Sequence, residues 1–293
     1  MTTHPCTTPA WQPPWLWRAL LSVAPAVVAP FCRLHVTGSV PAHLRHGPLL
    51  LAANHLSPVD PMILTAACHR ARLAPRFLAA AELFRVPLVG AVLRRAGHLS
   101  VERTTTGAVD ALPAVLGALH DGAPVLLYPE GRIGLDPWMW PERGKTGVAR
   151  MAAMTGAPVL PVAHWGTHTV MPYAFPRDLA RAVWHAMRTR PAVHVHFGEP
   201  VDLHGLTGTP GVQAREATRR IMDALDRALA PLRRDEPRTP RHRDPTRPAD
   251  TRRARPRPST EPALNTEPVL NTEPPPNTGR GSQRGSAVRS TRT

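Results

Sequence analysis

Leu49-Leu-Leu-Ala-Ala53 runs directly into Asn54-His55-Leu56-Ser57-Pro58-Val59-Asp60, and a further apolar stretch extends to about residue 70. Five apolar residues bounded by turn formers read as a buried strand. Ser57, Pro58 and Asp60 are residues that start helices. The stretch is therefore one βα unit, with a polar turn between strand and helix. The same texture recurs on both sides of it. Residues 34–37, 76–80, 98–101, 124–128, 158–162 and 193–197 read as further strands. Helical patterns lie near 59–70, 83–96, 106–120, 144–155 and 211–231. Strands alternating with helices predict an α/β fold with a mostly parallel central sheet flanked by helices.

The two ends of the chain read differently from this middle. Residues 1–33 hold Trp11, Trp15 and Trp17 beside a moderately apolar segment that Pro25 and Pro30 interrupt. It is shorter than the roughly 20 residues a spanning helix needs. Trp residues beside such a segment suit an interfacial helix at a membrane surface, and a helix packed on the protein's own core is the alternative. Residues 34–232 form the expected folded domain. From 233 to 293 the text is Pro, Arg, Thr and Asn, with 14 Arg against 7 acidic residues. A segment with so little apolar surface cannot offset its conformational entropy and reads as disordered. The chain of 293 residues carries a net charge of +15, which favours anionic partners. Lys145 is its single lysine. Three cysteines without metal-ligand spacing predict no disulfide framework and fit a reducing compartment.

Chemistry gathers after two of the strands. His55 follows the strand at 49–53, where active groups of open α/β sheets lie. A neutral hydroxyl is a poor nucleophile, and an imidazole can take its proton near neutral pH. A carboxylate on the other ring nitrogen fixes the tautomer and stabilises the imidazolium. A bend at Ser57-Pro58 can fold Asp60 back onto His55. The same residues also suit helix capping, with Ser57 as cap or with Asp60 capping a helix that starts at Pro61. Tyr128-Pro129-Glu130-Gly131-Arg132 follows a second apolar strand. Glycine there lets backbone approach a ligand, and arginine forks onto phosphate; a turn with a surface ion pair is the alternative. Arg103, after the strand at 98–101, is a third candidate cation. Two other function classes remain to be weighed. A nucleic-acid binder would use the Arg-rich tail, yet no sequence-specific binding signature accompanies it. A metal-dependent hydrolase would need ligand clusters, and His164 with His168, or His194 with His196, do not assemble one.

In order, these pieces resemble the PlsC-like glycerophosphate/lysophosphatidate acyltransferase family. Asn54 through Asp60 match its Asn-His-x-Ser-x-x-Asp block. Gly97 and Arg103 match a Gly followed six residues later by Arg, and Tyr128 through Gly134 approximate Phe-Pro-Glu-Gly-Thr-Arg-Ser. Residues 157–161 match an apolar strand ending on proline, while Lys145-Thr-Gly147 and Phe197-Gly-Glu-Pro200 match two further short patterns. The resemblance covers roughly residues 34 to 204. It implies His55 as general base, Asp60 as its partner, and Arg103, Glu130 and Gly131 as residues holding the glycerol phosphate. Arg132 stands where the pattern has Thr, and Ile133 where it has Arg, so Arg132 is the guanidinium expected to reach the phosphate. The resemblance further implies acyl-CoA or acyl-ACP as co-substrate with no metal or cofactor, a lysophospholipid acceptor, and a site of action at the cytoplasmic face of the cell membrane.

Overall fold

A computed structural model describes residues 11–102, 111–174, 179–234, 244, 246–248 and 250–255. Seven strands form one sheet: β1 (Arg33–Gly38), β2 (Leu49–Ala53), β3 (Arg76–Ala80), β4 (Leu99–Val101), β5 (Pro124–Leu127), β6 (Val159–Trp165) and β7 (Ala192–Phe197). Their order is β1-β7-β6-β2-β5-β3-β4. Every neighbouring pair is parallel except β6 with β7. The mostly parallel α/β sheet read from sequence is thus the fold, and each of the seven expected strands is present.

The strand sequences explain the order. β2 lies between β5 and β6, is buried at all five positions, and contains only Leu and Ala. A strand covered on both faces needs such a continuous apolar run. The edge strand β1, Arg-Leu-His-Val-Thr-Gly, instead alternates between half-buried and exposed positions over most of its length.

Nine helices are described: α1 (Trp15–Val28), α2 (Asp60–Arg70), α3 (Ala81–Arg85), α4 (Pro87–Arg95), α5 (Leu112–His120), α6 (Gly147–Thr155), α7 (Thr167–Val170), α8 (Leu179–Thr189) and α9 (Pro210–Leu229). α1 packs on α2 over one face of the sheet, where Trp17, Leu21, Ile63, Leu64 and Phe77 join a common core. α5, α6 and α9 contribute to the core on the other face with Val115, Met151 and Ile221. Because β2, β5, β3 and β6 run the same way, the loops that leave their carboxyl ends gather at one rim. That rim holds His55, Glu130 and Thr167.

Three expectations are revised. The helix read over 83–96 is two helices, because Val86 is extended and Pro87 opens the second. Proline disfavours the helical conformation in the residue before it. α7 and α8 were not expected between β6 and β7. The tail read as starting at 233 does not mark where packing ends. Arg233 is buried and closes a 3-10 turn, Ala230–Arg233, with its guanidinium donating to the carbonyls of Met139 and Trp138. The described residues of 244–255 return to the domain. Arg247 is buried, and Arg255 pairs with Asp223 and Asp226 of α9. Hydrogen bonds and ion pairs with the folded domain hold this stretch, so its poverty in apolar residues does not keep it from packing.

Candidate active site

The site begins with the end of β2. Asn54 is buried and bonds twice to β6: its side-chain amide donates to the carbonyl of His164 at 3.0 Å, and its Oδ1 accepts the amide of His164 at 2.9 Å. This fixes the point at which the chain leaves the sheet. The next residue, His55, then turns back toward Asp60, the first residue of α2.

The His55 Nδ1–H donates to Asp60 Oδ2 at 2.7 Å. The same oxygen accepts the backbone amides of Leu56 at 2.6 Å and Ser57 at 2.9 Å. Asp60 therefore shapes the loop as well as orienting the ring. Burial alone would raise its pKa; nearby His164 and His55, together with hydrogen bonds, outweigh burial and hold it at about 2. The Ser57 capping box is present alongside the dyad: Asp60 Oδ2 accepts the Ser57 amide, and Ser57 Oγ accepts the Val59 amide at 3.4 Å while donating to the carbonyl of Met171 at 2.7 Å. Asp60 does not cap a helix starting at Pro61, because α2 begins at Asp60 itself. Behind the pair lies buried His164, whose Nε2 is 2.7 Å from the carbonyl of Asn54 and 3.5 Å from Asp60 Oδ2. Burial lowers its pKa, against the pull of Asp60.

The loop after β5 grips His55 from the other side. Glu130 Oε1 accepts the amide of His55 at 3.2 Å, and Gly134 N–H donates to the carbonyl of His55 at 2.9 Å. Glu130 Oε2 accepts the amide of Glu142 at 3.0 Å. Both oxygens of Glu130, a fully buried residue, thus go to backbone, and the carboxylate expected at a phosphate braces the loops that carry His55. Burial pushes its pKa up to about 8, against the two amides that favour its ionised form. Gly131 has φ +70°, a left-handed conformation open to glycine at little cost, and its amide closes a turn to Tyr128. The Tyr128 ring stacks on the His55 ring at 3.9 Å.

A cavity of about 440 Å³ meets these groups. His55, Gly131, Arg132 and Lys145 line one part; Leu20, Val27, Met62, Phe77 and Val92 line the rest with apolar carbon. Arg132 reaches the lining while pairing with Glu142 at 3.1 Å and Asp250 at 3.5 Å, so its guanidinium is shared between acids and cavity. Arg103 lies outside the described residues. Lys145 sits close to Gly131 and was legible only as the single lysine within a short Lys-x-Gly pattern. His164 had no signal that set it apart from an ordinary strand residue.

The arrangement can accept a proton at the Nε2 of His55 next to an apolar cavity with a cationic lining. Together with the mostly parallel sheet, it defines an α/β protein with a histidine base at the sheet's rim. A family profile described as Acyltransferase matches residues 33–165. A 1-acyl-sn-glycerol-3-phosphate acyltransferase of Chlamydomonas reinhardtii is 30% identical over 148 residues, covering 50% of this chain and 43% of the relative. A chloroplastic 1-acyl-sn-glycerol-3-phosphate acyltransferase of Brassica napus is 27% identical, covering 50% of this chain and 41% of the relative. The chain thus spans less than half the length of these two relatives. The lyso-ornithine lipid O-acyltransferase of Pseudomonas aeruginosa is 29% identical over 222 residues, covering 73% of this chain and 79% of the relative. The crystal structure of the 1-acyl-sn-glycerophosphate acyltransferase PlsC from Thermotoga maritima shares the fold, with a TM-score of 0.51 at 20% identity over 72% of this chain and 78% of that one. Over residues 33–165 the chain is similar to acyltransferases, and its fold is that of PlsC.

Proposed function

We propose that this chain moves a fatty acyl group from acyl-CoA or acyl-ACP to the free hydroxyl of 1-acyl-sn-glycerol-3-phosphate at the cytoplasmic membrane surface. The observation that carries the reading is the 2.7 Å bond between His55 and Asp60 beside a mostly apolar cavity. With Nδ1–H given to Asp60, Nε2 is the basic nitrogen. It takes the proton of the acceptor hydroxyl as that oxygen attacks the thioester carbon. The new C–O bond forms, the tetrahedral intermediate collapses, and the C–S bond breaks. The departing sulfur takes the proton from His55, which returns to its starting state. General-base help of this kind is worth about 10²- to 10⁴-fold, and positioning supplies much of the rest.

The apolar part of the cavity suits an acyl chain, and Arg132 and Lys145 suit the phosphate. Gly131 lets a ligand approach the loop closely, and Arg103 joins the acceptor site on the strength of the family pattern. The exposed Trp15, Val23 and Val27 of α1 support contact with a lipid surface. Among the described residues no helix is long and apolar enough to cross a membrane.

The test is His55→Ala in the full chain, offered lysophosphatidate and acyl-CoA, with lipid products resolved. Loss of phosphatidate formation with an unchanged circular dichroism spectrum is expected; full activity would sink the assignment. A second acceptor has specific support, because a relative matched over 222 residues is named for a lyso-ornithine lipid. Parallel assays with that lipid and with lysophosphatidate separate the two. Turnover confined to the amino-acid lipid would replace the phosphate reading while keeping the chemistry of His55.

A further inference from the structure

We propose that Arg247, in the returning C-terminal segment, is a positioning residue for the His55 base. Its guanidinium ties the two active-site loops together from behind. Nη2 donates to the carbonyl of Leu56 at 2.6 Å, and Nη1 donates to the carbonyl of Gly134 at 2.8 Å. Leu56 directly follows His55. Gly134 N–H in turn donates to the carbonyl of His55. The three bonds form a closed circuit around the residue that must hold its imidazole still.

The circuit matters because neither loop has a regular hydrogen-bond ladder at this point. Residues 54–57 are in neither helix nor strand, and 130–134 form only a turn and bends. Without the guanidinium, two carbonyls in a buried setting would lose partners, and a buried acceptor left unsatisfied forces nearby backbone to shift. A base displaced by about 1 Å can lose on the order of 10²-fold in rate.

The segment is built to hold Arg247 in place. Asp244 Oδ2 accepts the amide of Tyr173 at 2.5 Å, while Asp244 Oδ1 accepts the amide of Thr246 at 2.9 Å. The Arg247 amide donates to the carbonyl of Asp244 at 3.2 Å, and the amide of Asp250 reaches the carbonyl of Leu135 at 3.3 Å. The guanidinium carbon stands 5.8 Å from the centre of the Tyr173 ring. Arg253 adds a contact to the second loop, donating to the carbonyl of Glu130 at 3.0 Å. Arg247 is 7% exposed, so its charge is held away from water. Burial works against that charge, and Asp244, Asp60, Glu130 and Asp136 act to keep it. An arginine suits this place because its planar fork can serve two carbonyls at once, which a lysine ammonium on a single stem does less well.

This inference rests on the proposed acyl transfer, so its test carries a readout that needs no turnover. Full-length Arg247→Met, Arg247→Lys and, as a control, Arg252→Ala are compared with the parent chain; the Arg252 side chain is 89% exposed. In the lysophosphatidate assay, Arg247→Met is expected to lower kcat about 10- to 100-fold. KM for donor and acceptor should move less than about threefold. Arg247→Lys should recover part of the loss, and Arg252→Ala should behave as the parent. In parallel, amide hydrogen exchange of Arg247→Met should quicken at Leu56, Ser57 and Gly134, with no change in β2. Parental kcat in Arg247→Met would overturn the proposal. So would a loss that only tracks the folded fraction, or exchange that rises evenly over the domain. A parent chain that turns over no acceptor would instead defeat the acyl-transfer reading, and the exchange pattern alone would then decide the role of Arg247.

Discussion

His55 depends on one oxygen. Asp60 Oδ2 takes the ring Nδ1–H and two loop amides, and against burial the nearby His164 and His55 with these hydrogen bonds keep the group charged, at about 2. It is therefore ionised over any working pH, and the acid limb of a rate profile belongs to another group. Asp60→Asn keeps an acceptor oxygen for these donors and removes the charge that stabilises the imidazolium. The expected result is a kcat lower by roughly 10²- to 10⁴-fold in a folded chain. A loss below threefold in a well-folded variant would show that the charge is dispensable. His55, Asp60 and Gly131 were legible because strand ends, a proline bend and a left-handed glycine are written in residue type and spacing. Glu130 was legible as a site residue but not in its role, since sequence does not say which way a side chain points. It turns inward to two backbone amides. Arg247 lies 191 positions from the Leu56 carbonyl it reaches, and no local pattern encodes a bond to a distant carbonyl.

Among the elements, α1 carries two faces with separable roles. Trp17, Leu21, Ala24 and Val28 are buried, and Trp17 meets Phe77 and His98 edge-on at 6.0 and 4.4 Å. Trp15 is 73% exposed on the same helix. Trp17→Ala should cost about 3–5 kcal/mol of stability in a denaturant titration. Trp15→Ser should stay within about 0.5 kcal/mol of the parent, yet weaken co-sedimentation with vesicles containing anionic phospholipid. Equal sedimentation of Trp15→Ser and parent would remove α1 from the proposed membrane contact. The strands were the most legible elements, because buried apolar runs between turn formers have few other uses in an α/β chain. Helix boundaries were less so. Leu179, Val183 and Met187 of α8 recur at four-residue spacing, but Arg181 and His185 lie between them and the apolar side is largely exposed. A helix whose apolar residues do not build the core gives a weaker pattern than one whose residues do.

For the molecule as a whole, several buried groups titrate with opposite signs, and their balance sets how stability follows pH. Glu130 ordinarily ionises near 4.5, and burial raises it to about 8 in the folded chain. The folded state therefore keeps a proton that the unfolded chain gives up, and stability falls as pH rises through that window. Asp226, raised by burial to about 7, has the same sign and fades above that pH. His98, lowered by burial to about 4, and His164, lowered for the same reason, act oppositely. Unfolding lets them bind protons, so they cost stability as pH falls below about 6.5. Asp60 adds to that loss only below about 3.8, as pH falls toward its folded value. The two histidines are half-protonated in the unfolded chain at about 6.5 and neutral in both states by about 8, so they offset the loss from Glu130 only at the low end of this interval. Stability of the parent chain should decline over that interval by at most about 1.4 kcal/mol per pH unit for each proton released. Glu130→Gln offers one acceptor to two amides, so it should be less stable throughout, yet its decline from 6.5 to 8 should be shallower, with the remainder below 7 due to Asp226. Chemical denaturation at four pH values across the interval tests this. A parent chain that gains stability over the range, or a Gln variant with an equally steep decline, would show that Glu130 is ionised in the folded protein and that its two backbone amides outweigh its burial.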